Sequence, residues 1–61
     1  LPRSAYERVI HRVLEHRPLR LDHESWMPER MQGWYEIVFR NARDGRRRVF
    51  NLDDLVKACR F

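Results

Sequence analysis

The sequence predicts one small α+β domain over residues 1–61: an N-terminal helix, an irregular segment, an antiparallel β-hairpin with a candidate third short strand, and a C-terminal helix. Apolar residues recur at helical spacing near both ends of the chain. Bulky and β-branched residues flank an Asp-Gly turn in the second half. Sixty-one residues suffice for one core only, because a chain this short buries only about 60% of its unfolded surface.

The first helix is expected over residues 4–16, where Tyr6, Val9, Ile10, Val13 and Leu14 fall at i, i+3, i+4, i+7 and i+8 and form one apolar stripe. Ser4 and Glu7 fit a capping box, and Pro18 denies Arg17 the helical conformation. Residues 19–33 are the least regular. Leu19 and Leu21 flank Arg20 as in a short extended piece. A helical turn is expected to follow, with Pro28 in its first turn and Gly33 as its left-handed cap.

Trp34 to Phe39 read as a strand, bulky or β-branched except at Glu36. Asp44-Gly45 predicts a two-residue hairpin turn, since both central positions of such a turn need positive φ. That turn sets Phe39 opposite Phe50 and Ile37 opposite Leu52, with Val38, Arg40, Arg47, Val49 and Asn51 on the other face. Asn51 caps a second helix whose stripe is Leu52, Leu55, Val56 and Cys59. Asp53 and Asp54 sit at its positive end, Lys57 and Arg60 at its negative end. Both helices are expected on one face of the sheet. Because two strands alone are marginal, Leu19–Leu21 supplies a third or a partner completes the sheet.

Composition excludes several function classes. A hydrophobic share of 43% argues against disorder throughout. The single Cys59 forbids an internal disulfide and favours a reducing, intracellular setting, cytoplasmic or nuclear (nucleoid). No apolar run exceeds that of Ile37-Val38-Phe39, so neither a membrane span nor a signal-peptide core is expected. The start at Leu1 suggests a processed product or an excised domain. His11, His16, His23 and Cys59 match no zinc spacing, and no metal or cofactor is expected. With two Gly, no phosphate loop, no nucleophile triad and no room for a deep pocket, the chain reads as a non-catalytic binding module without a small-molecule substrate.

The net charge of +4 is unevenly spread: residues 1–20 carry +3, residues 21–36 carry −3, and residues 37–61 carry +4. Twelve of the thirteen cations are Arg, which suits bidentate phosphate contact, although a GC-rich genome produces the same bias. Arg40, Arg43, Arg46, Arg47 and Arg48 surround one turn as a cationic finger. Nucleic acid, DNA or RNA, is therefore the first expected partner. A protein partner is the alternative, reached through an open sheet edge or an exposed aromatic residue, with the chain acting as a small subunit or an inhibitor. Simple solvation of an edge hairpin is the bland account. Arg8 and Arg12 could widen the basic surface, but pairing of Arg12 with Glu15 is preferred. Trp26 and Trp34 are the candidate partner anchors. Core packing is the first reading for the aromatics, and Trp26, on the irregular segment, is the better candidate for exposure.

The stretch from Gly33-Trp34 through Asp44-Gly45-Arg46-Arg47 to Leu55 resembles the strand, basic turn, strand and helix that end hairpin-then-helix DNA readers such as methyl-CpG-binding domains. The resemblance covers under half the chain. It implies DNA contact by the turn, but it has no counterpart for the helix at 4–16 and places no base-reading residue.

Overall fold

Apolar residues in the middle of the chain are buried by four strands, one more than the expected hairpin and its candidate third strand. The computed structural model describes residues 3–58, in the order α1 (Arg3–Leu14), β1 (Leu19–Leu21), β2 (Glu24–Gln32), β3 (Glu36–Asn41), β4 (Arg47–Asn51) and α2 (Leu52–Ala58). The strands form an antiparallel meander, β1-β2-β3-β4. The expected α+β architecture holds, with both helices packed on one sheet face. Val9 and Val13 of α1 and Leu52 and Leu55 of α2 share a core with Leu19, Leu21, Trp26, Ile37, Phe39 and Phe50. The other face carries no element of residues 3–58.

The extended piece and third strand expected at Leu19–Leu21 is β1, whereas the helical turn expected after it is instead β2, which closes a β1–β2 hairpin. Asp22 and His23 both adopt positive φ, 49° and 64°, and join Leu21 directly to its cross-strand neighbour Glu24. This is the dihedral pattern of a two-residue hairpin turn, achieved without glycine. Pro28 lies inside β2, not at a helix start, and the register shifts between Pro28 and Arg30, leaving Glu29 as an extra residue. Such a bulge reverses the facing of everything beyond it. Trp26 therefore faces the core, whereas Arg30 pairs with Val38 and faces away from it. Gly33, at φ +68°, serves the β2–β3 turn rather than a helix end.

The β3–β4 register also departs from the expected one. Ile37 faces Phe50 and Phe39 faces Arg48, so the connection spans residues 42–46 rather than Asp44-Gly45 alone. Gly45 takes positive φ, +79°, but Asp44 does not. The cause is Asn41, 1% exposed, whose side-chain oxygen accepts the N–H of Arg43 (2.9 Å) and of Asp44 (3.2 Å). Its backbone N–H reaches the Arg46 carbonyl and its own carbonyl accepts from Gly45, at 2.6 and 3.0 Å. The slip is of two residues, so every side chain keeps its expected face.

At the helices, α1 starts at Arg3, so Ser4 lies inside it and Glu7 pairs with Arg3 at 3.1 Å rather than forming a capping box. The expected Arg12–Glu15 pair is replaced: Arg12 donates to the Pro18 carbonyl and Glu15 pairs with Arg17. Asn51 caps α2 as expected, accepting the Asp54 N–H at 2.8 Å. Cys59 and Arg60 lie outside the described residues.

Candidate nucleic-acid interface

Alternation along β3 and β4 puts Arg40 and Arg47 on one sheet face and Arg48 on the other, while Arg43 and Arg46 lie in the loop between the strands. Arg46 and Arg48 turn toward the helix side. The Arg46 guanidinium lies 5.6 Å from the centre of the Trp26 ring and pairs with Glu24 (2.5 Å) and Asp44 (2.6 Å). The Arg48 guanidinium lies 4.7 Å from the Phe50 ring and pairs with Asp22 at 3.2 Å. Arg47 faces the open side, where Glu29 from the bulge meets it at 2.8 Å. Among the described residues Arg40 and Arg43 have no ion pair.

These contacts explain the acidic middle of the sequence. Asp22, Glu24 and Glu29 stand on β2 and its turn where they meet the arginines of β4 and its loop. The Ala42 N–H also donates to the Ser25 carbonyl at 2.9 Å. The expected free finger is thus a hairpin held against β2. Asp44 has its pKa lowered, first by the Arg46 backbone N–H and then by the Arg46 guanidinium, and that guanidinium is in turn held charged by Asp44.

A second cationic group, which the sequence did not assemble, lies on the open face. Cross-strand rows place Met27, Arg40 and Arg47 side by side, then Arg30, Val38 and Val49, with Arg20 beside Ser25 nearer the β1 edge. Val38 is only 5% exposed yet lies outside the core cluster, whereas Val49 is exposed. Four arginines thus border a small apolar centre, against Glu29 and Glu36 on the same face. Arg20 and Arg30 escaped the sequence reading because β1 and β2 were not recognised as a pair.

The two tryptophans exchange their expected roles. Trp26 is 1% exposed, packed edge-on against Phe50, and its indole N–H donates to the Leu21 carbonyl at 3.2 Å, so it is a core residue and not a partner anchor. Trp34, in the β2–β3 turn, is 81% exposed. Its ring lies beside that of Tyr35, with centroids 5.3 Å apart and planes tilted by 58°.

Behind that turn, Tyr6 and Tyr35 both donate to the Asp53 carboxylate, Tyr6 at 2.6 Å. The two phenols, Tyr35 first, hold Asp53 below the usual carboxylate range, and the Tyr35 pKa is pushed up to about 12 chiefly by the same bond. The clasp strengthens the fold above the ordinary carboxylate pKa, and its contribution is lost as pH falls through the lowered value. At the alkaline end it is present below pH 10 and lost as pH rises toward about 12.

Among the described residues no group of three His, Cys, Asp or Glu side chains converges for a metal, and no helix is long and apolar enough to cross a membrane. No family model, curated protein or solved structure matches the chain.

Proposed function

We propose that the chain is a non-catalytic binding module for nucleic acid, and that its contact surface is the open sheet face rather than the hairpin tip. The reading is supported chiefly by one observation: Arg40 stands directly opposite Arg47, with Arg30 on the neighbouring row and Glu29 the one acid paired among them. Like charges facing each other across a ladder destabilise a sheet, and an anionic ligand relieves that cost. Arg43, in the adjoining loop, extends the surface. Arg46 and Arg48 hold the hairpin in place instead.

The test is the salt dependence of binding, followed by anisotropy of labelled nucleic acid from about 50 to 200 mM salt. The expected result is a steep fall in affinity. An Arg30→Ala, Arg40→Ala double variant should flatten the log–log slope by roughly 0.7 to 0.9 for each phosphate left without its arginine. Equal flattening by Arg46→Ala, Arg48→Ala would return the binding surface to the hairpin tip.

A protein partner is favoured by a different observation. The sheet has two edge strands: β1 is only three residues long, whereas β4 offers five residues with neither proline nor bulge. A partner adding a strand there would shift the amide resonances of Arg47–Asn51 rather than those of the open-face residues on β2.

A further inference from the structure

Resting on the polyanion reading above, we infer that the ligand is a single strand of nucleic acid, laid along β3 on the open face with one base stacked on Trp34. The sheet does not fit a duplex groove. Three interstrand spacings set its outer strands about 14 Å apart before side chains are counted, against a major groove about 12 Å wide. A two-stranded ribbon would fit, but the β3–β4 hairpin is held to β2 by the Arg46–Glu24 and Arg47–Glu29 pairs and the Ala42–Ser25 bond. It cannot enter a groove alone.

A single strand meets no such obstacle. β3 runs from Arg40 to Glu36 over roughly 13 Å and the β2–β3 turn carries Trp34 past that end, a path suited to the lower end of the about 4–16 nucleotides that single-strand platforms accept. Arginines at one end and beside the path supply phosphate contacts. Met27 and Val49 supply an apolar floor for sugars and base faces. At the far end Trp34 presents its ring to solvent at 81% exposure, backed by Tyr35, which the Asp53 hydrogen bond fixes. An exposed indole on a fixed support stacks on any base, so the mode is indifferent to sequence.

The experiment compares labelled oligo-dT, oligo-U and a duplex of the same length by anisotropy, with tryptophan emission recorded alongside. Buried Trp26 provides a constant background. The single strands should bind more tightly than the duplex and quench the exposed emission. Trp34→Ala should abolish the quench and weaken single-strand binding about 5- to 150-fold, the equivalent of losing one base stack, with the salt slope unchanged. The dT and U arms separate a DNA from an RNA preference. Salt-sensitive binding in which the duplex is preferred, or in which Trp34→Ala changes nothing, overturns the single-strand inference and leaves the polyanion reading standing. Absence of salt-sensitive binding to all three probes overturns both.

Discussion

The β1–β2 and β3–β4 hairpins close at the same end of the sheet by opposite means. In the first, the backbone bears the strain: Asp22 and His23 both enter the left-handed region so that Leu21 passes to Glu24 in two residues. In the second, side chains do the work. Asn41 gathers two loop N–H groups, Asp44 accepts the Arg46 N–H at 2.9 Å, and only Gly45 turns left-handed. Turn length thus follows from what the flanking strands must pair and bury. Leu21 and Trp26 sit within the core, so the first turn is short despite unfavourable residues, while a buried Asn41 lengthens the second despite its Asp-Gly.

Breaking the first hairpin should have the largest effect. Trp26→Ala removes a fully buried indole that packs on Phe50, and should cost about 3–5 kcal/mol. Urea unfolding followed by circular dichroism should show most of the stability of so small a domain gone. Asn41→Ala should come next, at about 1–2 kcal/mol, by removing the acceptor that closes the longer loop. Its unfolding midpoint should fall while the Trp26 environment, seen in emission, stays native.

The two turns themselves give the smallest effects and opposite signs. A Cβ at Gly45 would meet nothing within 4 Å, so Gly45→Ala reports φ strain alone and should destabilise by about 1 kcal/mol. His23→Gly relieves about 1–2 kcal/mol of the same strain and loses about 0.5–1 to the freer unfolded chain, a net gain of about 0–1.5 kcal/mol. Thermal melts of the two variants should move in opposite directions. If both fall, the first turn is not strained and the contrast between the hairpins fails.

Much of the fold was legible where periodicity ran undisturbed: α1, the β3–β4 pair and the α2 stripe through Val56. Residues 24–32 were not, because Pro28 suggested a helix start, Glu29 interrupts the alternation, and Asp22-His23 lacks the glycine that marks a turn. The site was half legible. A slip of two residues preserves facing, so grouping Arg40 and Arg47 with Val38 and Val49 was correct even with the wrong register. The charge run, however, looked like one surface, since the neutralising acids Asp22, Glu24 and Glu29 lie on β2 and its turn, which were not foreseen. Trp26 misled because burial there depends on a turn four residues earlier.

The Asp53 clasp bears on the order in which the molecule assembles. A meander lets each hairpin form from neighbouring sequence, so the sheet can zip without closing any long loop. Tyr6 and Asp53, 47 residues apart in sequence, meet only when α1 and α2 come together on the sheet face, and the Leu52 N–H to Tyr35 carbonyl bond, 3.0 Å, already places α2 beside the β2–β3 turn. Docking of α1 onto that preformed corner is then the late event. Loss of the Tyr6 hydroxyl would leave the refolding rate nearly unchanged and steepen only the escape from the native state, so the clasp governs how long the domain stays folded more than how fast it folds.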